Sequence, residues 1–143
     1  MRDRVRRIAV GGLIAASAGI GSAAGSEPDP FAAYRWTSRV LLVSAPDADD
    51  PAVGAQRDAL TSAGAEIAER DLVVVEALGR APRADALRRR FHLPDARFAA
   101  VLVGKDGGAK LASETPIPPQ LLFSTIDAMP MRRDEARKRS RVP

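Results

Sequence analysis

Three short apolar runs limit what this chain can build: Val40-Leu41-Leu42-Val43, Leu72-Val73-Val74-Val75 and Phe98 to Val103. Each is continuous rather than alternating, the pattern of a strand covered on both faces. The segments between them supply the covering helices. Asp50-Pro51 offers an oxygen acceptor at an N-cap and a proline at the first helical position. From there a helix runs to about Ala63, with Gly64 as its C′ residue. Val53, Leu60 and Ile67 recur at intervals of seven beside Ala59 and Ala63, which makes a narrow apolar face.

A second, shorter helix over Ala84 to Phe91 turns Ala84, Leu87 and Phe91 inward. Arg83, Arg88, Arg89 and Arg90 then lie mostly away from that face and read as a solvated surface. His92, the only histidine, sits where a helix end needs a cap. Lys105-Asp106-Gly107-Gly108 is a hairpin signal, because Asp-Gly tolerates the positive φ of a type I′ turn. Ala109 to Ala112 returns as a fourth strand, and Pro119 opens a last helix with Leu122, Ile126 and Met129 on one face. The order is β-α-β-α-β-β-α, an α/β three-layer sandwich around a mixed four-stranded sheet. Its first two strands are parallel through a right-handed crossover, and its first and third, the most apolar, are central.

The chain has no cysteine, so a disulfide framework, a thiolate metal site and a thiol nucleophile are excluded. The isoelectric point near 10.3 suggests a polyanion partner, but the charge sits at the ends. Residues 25–131 hold 12 basic and 15 acidic side chains, a net charge of −3. With aromatic residues at only 4% to stack on bases, nucleic acid is not an expected partner.

The N-terminus has the layout of a cleavable export signal. Arg2, Arg4, Arg6 and Arg7 precede an apolar stretch of 13 residues, Ile8 to Ile20, and then the small residues Gly21-Ser22-Ala23-Ala24-Gly25. Ser22 and Ala24 suit a cut after Ala24. A membrane span needs about 20 apolar residues, more than this run supplies. The expected organisation is a signal peptide over 1–24, an irregular lead-in over 25–35, a folded domain over 36–130 with Trp36 as a packing residue, and a charged basic tail over 131–143 that frays. The expected location is periplasmic or extracellular.

Four strings carry a family resemblance: Trp36-Thr37-Ser38-Arg39-Val40-Leu41-Leu42-Val43, Glu69-Arg70-Asp71-Leu72-Val73-Val74-Val75, Val103-Gly104-Lys105-Asp106-Gly107-Gly108-Ala109-Lys110-Leu111 and Ile126-Asp127-Ala128-Met129-Pro130-Met131-Arg132. Together they resemble a bacterial family known only as domain of unknown function 4174, placed in the thioredoxin-like group, over about Phe31 to Arg137. The resemblance implies exported proteins with a thioredoxin-like fold and assigns no catalytic residue. Where thioredoxin carries Cys-x-x-Cys at a helix N-terminus, this chain has Ala48-Asp49-Asp50-Pro51, and where thioredoxin carries a cis-proline it has Ala99. Cysteine-based redox catalysis is therefore excluded.

The candidate groove comprises Asp47, Asp49 and Asp50 in the loop after the first strand, with Arg97 and Phe98 facing them from the start of the third. Three carboxylates can bind a hard cation through oxygen. Acids at a capped helix start account for the same residues more simply, and Arg97 can pair with that loop. No catalytic residue, metal or cofactor is assigned. The leading expectation is a non-catalytic module that binds a protein or peptide along a strand edge. The alternatives are a metal-dependent protein or enzyme using the Asp47/Asp49/Asp50 loop, and membrane-surface association through the basic tail. Intact-mass analysis of the processed protein is expected to show loss of residues 1–24 and a new N-terminus at Gly25; a retained N-terminal methionine would refute the cleavage.

Overall fold

The strand β1 (Arg39–Ala45) is buried at all seven positions. It lies parallel to β2 (Leu72–Leu78) on one side and antiparallel to β3 (Ala99–Val103) on the other. β4 (Ala109–Ser113) pairs antiparallel with β3, so the strand order is β2-β1-β3-β4 and the sheet is mixed. β3 is buried throughout as well, and the two wholly buried strands are the central ones. This computed structural model describes residues 28–142; the expected signal over 1–24 lies outside the described residues. Among the described residues no helix is long and apolar enough to cross a membrane.

Alternation along β1 divides the core into two faces. Leu41, Val43 and Ala45 join Val53 and Leu60 of α1 (Pro51–Thr61), Phe98, and Leu122 and Ile126 of α4 (Pro119–Asp127). Val40 and Leu42 join Phe31, Val75, Ala77, and Ala84 and Leu87 of α3 (Pro82–Phe91). Phe31 comes from the turn-rich lead-in and meets the Phe91 ring edge-on at 5.3 Å. The Asp50 carboxylate accepts the Ala52 N–H at 2.9 Å, with Pro51 at the first helical position. Gln56 lends its amide to the proline-rich connection before α4, donating to the Ile117 carbonyl at 3.0 Å and accepting the Ile117 N–H at 2.8 Å.

The structure corrects several local expectations. Helix α1 ends at Thr61, and Gly64 opens a short second helix, α2 (Gly64–Glu69), instead of closing the first. The cap residue Ser62 keeps right-handed geometry, so no glycine is needed there. The left-handed residue comes later, at Asp71 with φ 49°, where the chain enters β2. The hairpin is not type I′. Only Gly107 has positive φ, at 86°; Gly107 N–H donates to the Gly104 carbonyl at 2.9 Å and Gly104 N–H to the Gly108 carbonyl at 2.9 Å. That is a three-residue loop, a type I turn followed by a left-handed glycine, and the Asp106 carboxylate braces it by accepting the Gly108 N–H. Trp36 is not a packing residue. It is 63% exposed on backbone with φ 68°, and it is its N–H that is used, donating to the Lys105 carbonyl at 2.7 Å.

The arginines of α3 are not all solvated. Arg88 is only 3% exposed. Its Nε donates to Ser44 Oγ at 2.8 Å, its Nη2 to the carbonyls of Ala45 at 2.8 Å and Ala77 at 2.9 Å, and its Nη1 to Asp85 at 2.9 Å. One planar fork thus ties the C-terminal ends of β1 and β2 to α3, a task that needs several donors in fixed directions. His92 then ends α3 in the left-handed region, with Leu93 N–H donating to the Arg88 carbonyl at 3.0 Å and His92 N–H to that of Arg89 at 3.3 Å. Arg88→Met is expected to destabilise the protein by about 3 kcal/mol, because the Ser44 hydroxyl and the Ala45 and Ala77 carbonyls lose a charged donor and Asp85 loses its buried partner. Arg88→Lys should recover less than half of that. Urea unfolding measures both, and a loss below about 1 kcal/mol for the methionine variant would mean that water replaces the fork.

Candidate functional site

The residues singled out from the sequence sit at the end of the sheet where β1 terminates, and they do not form one constellation. The Asp47 carboxylate accepts the Asp49 N–H at 2.8 Å and the Asp50 carboxylate caps α1, so these acids are occupied with local backbone. Asp49 is exposed. Arg97 does not meet the acidic loop; it turns to the far end of β4 and pairs with Glu114 at 2.9 Å, both side chains mostly exposed. Phe98 is buried in the core face that holds Leu41 and Val43 and lines no groove. Among the described residues no three histidine, aspartate or glutamate side chains form a group that could hold a metal ion. The acidic loop is thus a capped helix start.

Charge is concentrated at the opposite end of the sheet, and the tail expected to fray provides it. Residues Pro130–Ser140 form a helix, α5. Its Glu135 reaches the two cations beneath the sheet: Arg39, which begins β1 and is 1% exposed, and Lys105, just beyond β3 and 9% exposed. Arg39 approaches both carboxylate oxygens, Nη1 at 3.2 Å from Oε2 and Nη2 at 3.3 Å from Oε1. Lys105 Nζ donates to Glu135 Oε1 at 2.7 Å and to Asp71 Oδ2 at 2.9 Å. The Arg70 carbonyl takes a further Arg39 hydrogen at 2.8 Å.

A second set of pairs flanks the first. Arg70 holds Asp127 through two bonds, Nε to Oδ1 at 3.0 Å and Nη2 to Oδ2 at 2.9 Å, and lies 4.5 Å over the Phe123 ring. Arg132 of α5, buried, donates to Asp127 Oδ1 at 3.3 Å and to Glu69 Oε1 at 2.7 Å. Arg139 donates to the Glu69 carbonyl at 2.7 Å. Beside the network lies a cleft of about 470 Å³, lined by the charged Arg39, Lys105 and Lys110 and by the less polar Thr125, Ala128, Met129, Pro130 and Met131.

The electrostatics follow from this geometry. The hydrogen bond from Lys105 holds Asp71 below the ordinary carboxylate range against a smaller opposing effect of burial. Burial by itself pushes Glu135 upward, but the bonds from Lys105 and Arg39 outweigh it and leave the carboxyl below its usual value. Asp127 is lowered by Arg70. No periodic pattern announces any of this, because the partners come from four separated segments. The four strings that carry the family resemblance supply Arg39, Glu69 to Asp71, Lys105, and Asp127 with Arg132, while Glu135 and Arg139 lie beyond the last of them.

Carboxylates whose folded values are depressed stabilise the fold fully above their unfolded values, near pH 4, and lose that contribution as pH falls through the lower folded ones. Acid unfolding should therefore steepen below about pH 4. Glu135→Gln is expected to lower stability at pH 7 by roughly 2–3 kcal/mol and to flatten the acid limb. Chemical denaturation across pH measures both; an unchanged acid slope in the variant would assign the acid sensitivity elsewhere.

Residues 30–135 match the family described as domain of unknown function (DUF4174), and the chain belongs to that family.

Proposed function

We propose that this member of the family is an exported, thioredoxin-like binding module without catalytic activity, periplasmic or extracellular after removal of its signal. The export half rests on the arginine-led apolar N-terminus with its small-residue cleavage pattern. The fold assignment is supported by the strand order β2-β1-β3-β4, with its parallel pair and closing antiparallel hairpin. The absence of cysteine from the whole sequence removes the scaffold's disulfide chemistry.

The observation that carries a binding role is the free edge of the sheet at β2. Among the described residues this strand of seven is paired on one side only, and it keeps Val74 41% exposed. A hollow of about 420 Å³ lies alongside, lined by Val43, Val53, Leu60 and Val74 and bridged by the Arg57–Glu76 pair. An exposed strand edge is a template for an extended peptide, with backbone bonds supplying affinity and alternate side chains entering adjoining pockets. The expected partner is therefore an extended segment of another protein with an apolar residue for the Val74 hollow.

The test is affinity capture from an envelope extract with the processed chain, beginning at Gly25. A reproducible partner is expected, retained at least tenfold less by Val74→Glu, while the variant unfolds within about 0.5 kcal/mol of the parent because the side chain is partly in water. Capture of no reproducible partner, or turnover of a dithiol substrate by the purified chain, would overturn the proposal.

A further inference from the structure

Helix α5 is held in an unusual way. Arg132 and Glu135 are its only residues that are not exposed, so no apolar side chain of the helix is buried. A helix without a buried apolar stripe lacks the main force that docks helices on sheets. What fixes this one is a set of ion pairs and hydrogen bonds, in which Arg132 is the most buried residue of the helix and Glu135 meets the most buried partner, Arg39.

The groups that receive Glu135, one on β1 and one just beyond β3, have other anchors of their own. Arg39 lies on the wholly buried β1 and is anchored by the Arg70 carbonyl; Lys105 is anchored by Asp71. With Glu135 in place, two cations face two carboxylates. With it withdrawn, Arg39 and Lys105 face Asp71 alone, and one positive charge is left over. Among the described residues the buried Arg39 Nε has no hydrogen-bond partner, so the guanidinium keeps donor capacity that Glu135 does not use. The same two cations line the 470 Å³ cleft together with Thr125, Ala128 and Met129, which precede α5. The volume lies within the range of small-molecule sites.

We propose that Arg39 and Lys105 form a binding niche for the carboxylate of a small organic acid with a short apolar chain, which the protein keeps filled with its own Glu135, so that α5 is a displaceable occupant. A planar guanidinium beside an ammonium recognises a carboxylate by two parallel bonds and a point charge. The apolar chain of the acid takes the cleft. The inference rests on the reading of the chain as a binding module but uses a different site from the β2 edge, so either can fail alone.

The experiment compares Glu135→Ala with the parent, full mature chain in each case, by thermal melting at pH 7 in acetate, hexanoate or chloride at matched ionic strength. The variant is expected to show a saturable rise in melting temperature with carboxylate that chloride does not produce. Hexanoate should half-saturate at lower concentration than acetate, about fourfold per methylene buried. Lys105→Met added to Glu135→Ala should abolish the effect. A variant that responds to carboxylates only as it does to chloride overturns the proposal. If Glu135→Ala does not fold, hydrogen exchange on the intact protein decides: carboxylate is expected to speed exchange of amides 133–140 and leave those of β1 and β3 unchanged, and equal exchange in carboxylate and chloride overturns it. Loss of this response with partner capture intact removes the niche and leaves the β2 reading standing.

Discussion

A strand buried at every position has no solvent in which to leave a polar group, so whatever polar atoms it carries must be satisfied where it begins and ends. β1 meets that requirement at both extremities, save for the Arg39 Nε, which among the described residues has no partner. At its C-terminal end the Ser44 hydroxyl and the Ala45 carbonyl are taken by Arg88. At its N-terminal end Arg39, an almost fully buried charge, is taken by Glu135 and the Arg70 carbonyl. The two arginine clamps lie at opposite ends of one strand, and the helices they recruit, α3 and α5, are placed by that need. The apolar core fills the space between.

This division explains which features could be read in advance. The strands, the Asp50–Pro51 helix start and the Leu122/Ile126 face are local patterns set by backbone geometry and burial period, and they stand in the structure as expected. The arginine of α3 was legible in principle: Ala84, Leu87, Arg88 and Phe91 fall at i, i+3, i+4 and i+7, so a helix burying the first two must also turn Arg88 inward. Charge masked that geometric signal. The docking of α5 had no such signal, because its two inward residues are both charged and its partners lie in three other segments. The left-handed backbone at Trp36 was equally silent, since what fixes it is one bond to the carbonyl of Lys105.

The residues of the candidate groove take separate places for a related reason. Asp47, Asp49 and Asp50 are close in sequence, but short acidic side chains in a loop find nearby amide hydrogens before they find each other. Proximity along the chain therefore produced helix capping. The clustering of charge occurred instead among residues far apart in sequence, where low local dielectric makes unpaired groups costly and forces them to converge.

The bond between Arg39 and Glu135 spans 96 positions of the chain. Closing a contact over that separation is costly in loop entropy, so it forms only after the sheet has brought Arg39 and Lys105 together. Docking of α5 is therefore a late step of folding, and the two cations are assembled before their shared acceptor reaches them.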